Sequence, residues 1–503
     1  MLRLSLPGGL LAATFLAVLH GQPAAEPVRQ TLTIDARAAT RPFPHFWEQM
    51  FGSGRAVLSL RESYRQDLRT VRAATGFRYV RFHAILHDEL GVFAKGAEGT
   101  PVYNFSYVDQ IYDGLLENGV RPFVELSFMP KALAASQTPH PFWYKPLANP
   151  PTSYETWGEL VAALAAHLVE RYGIEEVAQW YFEVWNEPNI GFWTGKPAQS
   201  TYFQLYDTAA QAIKRVSPRL RVGGPATAQA AWVDAMIAHA AADKIPLDFV
   251  STHVYGNDSS RNVFGTEEVI PRSDMVARAA RKVYDEVKGS AMPDLPIIWS
   301  EYNASYMTEL SVTDSAYMGP WLANNIRMCD GLQTMMAYWT FSDVFEEGGV
   351  PKTPFHGGYG LIAEFGIPKA AYNAFRLLHL LGEERLPLDV TWALATRRAD
   401  RNLAIAVWNY APPREPGSPM NVHLELRNAG NLRHMRIQMV DREHGSSLEA
   451  WEALGRPSTP TREQIARLRA AAQMAAPAAA PLKRGGIDVH LEPYALAVVE
   501  IVP

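Results

Sequence analysis

Trp180-Tyr181-Phe182-Glu183-Val184-Trp185-Asn186-Glu187-Pro188 and Pro296-Ile297-Ile298-Trp299-Ser300-Glu301-Tyr302-Asn303 share one design, a short β-branched and aromatic run that ends in a carboxylate. Runs of this kind read as strands, and their near-continuous apolarity suits a sheet buried on both faces. Where such strands alternate with helices, side chains at the strand ends carry the chemistry. Six further runs match them, at 46–50, 79–82, 122–126, 220–223, 248–253 and 334–339, which with 180–185 and 297–300 makes eight. Amphipathic stretches at 63–75, 107–118, 154–172, 202–216, 274–287 and 315–329 have the helical period and lie between them. Eight strands alternating with helices predict an α/β chain in the form of a (β/α)8 TIM barrel over residues 41–382. In that ring the quoted runs are the fourth and seventh strands, so Glu187 and Glu301 face each other across the mouth.

Beyond residue 382 the pattern changes. Strand-like runs at 389–396, 403–410, 420–426, 435–440 and 495–502 are broken by turn clusters such as Pro412-Pro413 and Pro416-Gly417. They predict a smaller accessory antiparallel β-sandwich domain over 383–503. The strand-like 30–35, within the segment 26–40, is expected to join it. The Ala/Pro-rich 474–481 reads as a surface loop. A second copy of the chain could dock on such a domain, so a homo-oligomer is compatible with the sequence.

Hydrophobic residues make up 48% and charged residues 20%, the balance of an ordinary globular protein. A formal net charge of −5 argues against a nucleic-acid partner. The one cysteine, Cys329, has no partner for an internal disulfide and is expected as a small buried hydrophobe. Arg3, the apolar stretch 4–19 and the small residues Ala24 and Ala25 predict a signal peptide over residues 1–25. The mature protein is then expected to be secreted or periplasmic, and no later stretch is apolar enough to hold it in a membrane.

Two opposed carboxylates are what glycoside cleavage requires: one protonates the leaving oxygen, and the other attacks the anomeric carbon or activates water. Their separation decides between retention and inversion, and the sequence leaves that open. A single Glu at a strand end is more often ion-paired or solvated, and Glu183, inside the fourth strand, is read that way. No metal or cofactor is expected. The histidines are scattered without ligand spacing. Gly358-x-Gly360-x-x-Ala363 runs into Gly366 and Pro368 instead of a helix, and Gly191 to Lys196 is one residue short of a phosphate loop.

Trp185-Asn186-Glu187-Pro188 resembles the acid/base motif of clan A glycoside hydrolases. Several segments further resemble family 39 of that clan, which holds β-xylosidases and α-L-iduronidases, and are closest to the β-xylosidases. They include Val80-Arg81-Phe82-His83, Arg121-Pro122-Phe123-Val124-Glu125, Val222-Gly223-Gly224-Pro225 and Glu301-Tyr302-Asn303. The more specific part is Ser342-Asp343-Val344-Phe345-Glu346-Glu347 with Phe355-His356-Gly357-Gly358. The resemblance implies Glu187 as acid/base and Glu301 as nucleophile. It also implies Asn186 on the sugar 2-hydroxyl, and His253 and Tyr255 holding the nucleophile and neighbouring hydroxyls. His83, Tyr306, Trp339 and Glu347 would line the glycone subsite. Phe82 departs from the family pattern, which commonly has glycine before the histidine. The implied substrate is an oligosaccharide or glycoside carrying terminal xylose. An α-L-iduronidase is the nearest rival; its uronate would need a cation such as Arg81. A non-catalytic sugar-binding barrel would be signalled by loss of either Glu, and both are present.

Overall fold

The computed structural model describes residues 26–482 and 486–503; the expected signal peptide, 1–25, lies outside them. Eight parallel strands pair in chain order and close on themselves. They are β1 (Met50–Gly52), β2 (Tyr79–Phe82), β3 (Arg121–Leu126), β4 (Tyr181–Val184), β5 (Arg221–Thr227), β6 (Phe249–Tyr255), β7 (Ile297–Asn303) and β8 (Met335–Tyr338). A helix follows each: α1 (Glu62–Thr75), α2 (Ser106–Glu117), α3 (Tyr154–Tyr172), α4 (Ala198–Val216), α5 (Val233–Asp243), α6 (Met275–Lys288), α7 (Met318–Cys329) and α8 (Ala370–Leu378). Helices α5 and α8 were not among the stretches singled out by periodicity. The first strand was expected at 46–50, yet Phe46–Glu48 is a 3-10 turn and pairing starts at Met50. Phe46 and Trp47 are buried because that turn is packed into the core, which gives the run its strand-like apolarity.

The barrel interior is layered. Met50, Phe123, Tyr181, Phe249, Ile298 and Met335 form an apolar plug of their own. One strand-period further on, Arg81, Glu125, Glu183 and Ser251 are buried and polar. The fold thus places its charges next to the mouth. Cys329, on α7, is fully buried, and burial pushes its thiol up to about 12, so it behaves as a hydrophobe.

The accessory domain is two packed sheets. One holds Val28–Asp35, Met420–Arg427 and Ile487–Leu491 in that order. The other runs Arg41–Pro42, Glu384–Arg385, Ala393–Arg397, Leu403–Trp408, Leu496–Val502, His434–Val440 and Ala478–Pro481. Leu32, Ile34, Val422, Val489, Ile405 and Val499 meet between them. Pairing among the described residues is antiparallel except for Val28–Asp35, which runs parallel to Met420–Arg427. The segment 474–481, expected as a loop, supplies an edge strand instead: Ala478–Pro481 pairs with His434–Val440, with Pro481 where an edge tolerates it. Two helices also interrupt this region, Leu448–Ala453 and Arg462–Ala471. The second is announced by a capping box, Thr461 with Gln464. Trp451 packs on Phe355, tying these helices to the loop after β8.

Candidate active site

The chain leaves β4 through two left-handed residues, Trp185 at φ 73 and Glu187 at φ 44. This is a costly backbone for bulky residues, and it is held by the Glu187 N–H donating to Ala226 O at 2.8 Å. Between β6 and β7 the register shifts, so that Thr252 pairs with Trp299 but His253 pairs with Glu301. The extra residue, Ser300, forms a bulge that re-aims Glu301 into the mouth.

Glu301 is fixed at both oxygens. Arg81 Nη1 donates to Oε1 at 2.7 Å and the Tyr255 hydroxyl donates to Oε2 at 2.6 Å. Arg81 is fully buried and shared widely: Nε donates to Glu183 at 2.5 Å, Nη2 donates to Asn186 Oδ1 at 2.9 Å, and Nη2 also lies 2.7 Å from Glu125. The Asn186 amide nitrogen, also buried, has no partner among the described residues. Glu187 pairs with His253, whose Nδ1 lies 3.0 Å from Oε1, while His253 Nε2 lies 3.1 Å from Ser300 Oγ. Burial, helped by Arg81 and His83, pushes His253 well below the usual histidine range, so it meets Glu187 as a neutral imidazole. Glu187 itself is pushed well above the carboxylate range, first by burial and then by the negative charge of Glu301.

A cavity of about 440 Å³ opens over these groups, within the usual size of a small-ligand site. Glu187, Glu301, Asn186, Tyr255, Trp339 and Glu347 reach it, as do His83 and, at its exposed rim, Tyr306. His253 does not. It is fully buried behind the two glutamates, and its Nδ1 lies nearer Glu187, at 3.0 Å, than Glu301, at 3.7 Å. His83 is aimed by Glu125, 2.7 Å from Nδ1, and turns Nε2 toward Glu347 and Glu301 at 3.5 and 3.8 Å. Burial alone would lower its pKa, but the charge and hydrogen bond of Glu125 together with the charge of Glu301 outweigh it, and the net shift is upward. Phe82, the residue unusual for the family, points away from the mouth and stacks on Tyr112, so His83 keeps its place. Glu347 is pushed up to about 8, chiefly by burial. Trp339 forms the floor, 4.9 Å from the His83 ring. A Cβ on Gly52 would come 2.1 Å from the Trp339 ring, so glycine alone admits it.

Several residues of the wall were not foreseen: Phe142, Phe192, Gln229, Asp258 and Tyr359. They sit on loops, where neither period nor motif marks them. Arg81, a candidate for binding a uronate, is instead committed to three glutamates and Asn186. Of the specific run after β8, only Glu347 lines this cavity. Ser342 bonds Asp67 at 2.6 Å, Asp343 pairs with Lys369 at 2.5 Å, and Glu346 pairs with Arg55 and Arg61 at 2.9 and 2.6 Å. A second cavity of about 620 Å³ adjoins on that side and shares Phe142, Glu347 and Tyr359 with the first.

The sequence profile described as Glycosyl hydrolases family 39 matches residues 30–488. The chain belongs to glycoside hydrolase family 39. It is accordingly a glycoside hydrolase. Among family 39 proteins and their relatives, the chain is 37% identical over 440 residues to a β-xylosidase of Geobacillus stearothermophilus, covering 85% of this chain and 86% of that protein. Human α-L-iduronidase is more distant, 27% identical over 94% of this chain and 79% of its own length. Among solved structures, a monomeric β-xylosidase from Caulobacter crescentus CB15 superposes with a TM-score of 0.85 at 34% identity, covering 94% of this chain and 99% of that one.

Proposed function

We propose that this enzyme is an exo-acting, retaining β-D-xylosidase with Glu301 as nucleophile and Glu187 as acid/base. The observation that carries this is the separation of the two carboxylates. An oxygen of each, together with a nitrogen of His253, lies within 4.8 Å of the others. Inverting pairs stand roughly 6.5–9.5 Å apart to hold a water, whereas retaining pairs stand about 5–5.5 Å apart. In the first step a Glu301 oxygen bonds the anomeric carbon as the glycosidic bond breaks, and the Glu187 proton passes to the leaving oxygen. In the second, water replaces Glu301 at that carbon and gives its proton to Glu187. Esterification of Glu301 removes the charge that helps hold Glu187 up, so the same residue can serve as acid and then as base. Asn186, with its buried amide nitrogen unpartnered, is the donor for the 2-hydroxyl.

The glycone follows from charge as well as from kinship. Glu187, Glu301, Glu347 and Asp258 line the cavity, and among the described residues no Arg or Lys does. A uronate would meet four carboxyl groups there and neither an Arg nor a Lys, which disfavours an iduronidase; a neutral xylose fits. The test is proton NMR of aryl β-D-xylopyranoside hydrolysis. β-Xylose should appear first and mutarotate afterwards; α-xylose first would overturn the roles given to both glutamates. Xylotetraose should yield xylose and xylotriose as first products, and xylobiose alone would overturn exo action. Residues 1–25 are assigned to export on their charge and apolarity. N-terminal sequencing of the exported protein should begin near residue 26, and an intact Met1 would remove that reading.

A further inference from the structure

The line from β4 to β7 divides the mouth into two halves. One half, under β8 and β2, holds Trp339, His83 and Glu347, the glycone side of the proposed reaction. The other half, on the loops after β5 and β6, holds Ala228, Gln229 and Asp258 and adjoins Glu187. A group whose oxygen is protonated by Glu187 leaves over that second half.

That wall is built with care. Asp258 is 7% exposed, and its Oδ2 accepts from the Tyr255 N–H at 2.7 Å. Gln229 stands beside the same carboxyl in the cavity wall. Gln229 stands at φ 62, within a loop where Ala226, Ala230 and Trp232 are also left-handed. The loop is locked to the acid/base segment by Asn189, two residues after Glu187. Its amide donates to Ala228 O and accepts from Ala228 N, both at 2.9 Å. Strain over-determined by its surroundings and facing a cavity is a mark of a working surface. We propose that Gln229 and Asp258 form the leaving-group subsite and recognise the hydroxyl groups of a second sugar unit, so that the enzyme is matched to a saccharide rather than an apolar aglycone. A carboxylate whose one oxygen is held by backbone and a carboxamide beside it offer the mixed acceptors and donors that a pyranose ring presents. The inference rests on the xylosidase reading above.

The experiment compares kcat/KM for xylobiose with that for phenyl β-D-xylopyranoside, in the parent and in Gln229→Gly and Asp258→Asn. Glycine adopts the φ of residue 229 freely, and Asn keeps an acceptor for the Tyr255 N–H, so both changes spare the backbone. The xylobiose-to-phenyl ratio should fall about tenfold or more in each variant, the cost of one or two lost hydrogen bonds. Loss of folded protein would scale both substrates alike and leave the ratio standing. A ratio within about twofold of the parent's in both variants overturns the subsite. A parent that cleaves the phenyl glycoside but not xylobiose overturns it too, while leaving the glycone reading intact. A parent that cleaves neither fails at the glycone, and the subsite falls with it.

Discussion

Two buried cation–carboxylate clusters lie within this barrel, and they resemble each other in composition but not in exposure. In one, Arg81 is shared by Glu125, Glu183 and Glu301 under the mouth. In the other, Lys369 sits 2.6 Å from Asp314 and 2.5 Å from Asp343 and donates to Gly358 O at 2.9 Å. The Gly357 and Gly360 N–H groups complete the two aspartates, each at 2.6 Å. The lysine cluster is closed: its ammonium lies against three oxygens, and of its three charged groups Asp343 alone lines either of the two cavities described above. The arginine cluster is open. One guanidinium serves three carboxylates, and the surplus negative charge is turned through Glu301 toward the site. Burying charge is costly in both places. In the closed cluster the result is a fixed loop after β8; in the open one it is an aimed nucleophile.

The comparison is sharpened most by Glu301→Ala. Removing the nucleophile should lower kcat by about 10⁴-fold or more, yet melting should stay close to the parent's, because Arg81 keeps two carboxylates. A large loss of stability with it would mean that Glu301 is a structural member like Asp314. Arg81→Lys should come next. The charge survives, but a lysine cannot fork between Glu301, Glu183 and Asn186. A fall in kcat of roughly 10²-fold, larger than any rise in KM, is expected from a misplaced nucleophile. If KM alone moved, Arg81 would have to be read as a substrate contact after all.

The same contrast shows what the sequence could reveal. Seven of the eight strands and the opposed Glu187 and Glu301 were legible because buried parallel strands are apolar throughout and the carboxylates stand at the ends of two of them; the first strand was misplaced because the 3-10 turn before it is just as apolar. The bulge at Ser300 and the left-handed turn at Trp185 and Glu187 leave no periodic trace, although they set the separation that decides retention. Glu183 and Glu125 look alike in sequence to any surface glutamate, and only the closed ring shows them converging on Arg81. The run after β8 was legible as a motif, but for a reason the motif hides. Its glycines are needed because a Cβ on Gly358 would come 2.5 Å from Asp343 Oδ1, so Asp343, Gly357 and Gly358 build the lysine cluster and only Glu347 is delivered to the active cavity. Gln229 and Asp258 were missed because isolated polar residues in loops carry no pattern. In the accessory domain, Ile487–Leu491 was not among the expected strands although it alternates buried and exposed, and Ala478–Pro481, three alanines and a proline, offers no alternation to read.

Lys369→Met should reverse the ranking of effects seen at Arg81. Two aspartates would be left buried without their cation, a loss of about 3–5 kcal/mol in stability, with kcat reduced less than in Arg81→Lys at a temperature where the variant is folded. Denaturant melts and initial rates on one preparation decide this, and a kcat loss exceeding that of Arg81→Lys would break the division between scaffold and site.

The smallest effect tests the edge of the closed cluster. Asp67, 4% exposed, accepts from Ser342 at 2.6 Å, one residue before Asp343. Burial pushes it up to about 8, against the Ser342 hydrogen bond and with help from the charges of Glu364 and Asp343. Because the folded pKa lies above the unfolded one, the folded state holds a proton that the unfolded chain releases. Its contribution to stability is therefore present at acid pH and is lost as pH rises from about 4 toward about 8. Asp67→Asn keeps the shape and removes the titration. Between pH 7 and 8 the parent should lose about 1 kcal/mol relative to the variant, read as a difference in melting between the two proteins across that window. Parallel melting curves would mean that Asp67 is ionised in the folded protein, and that the Lys369 charge reaches past Asp343 to stabilise it, which would make the closed cluster larger and more like the open one.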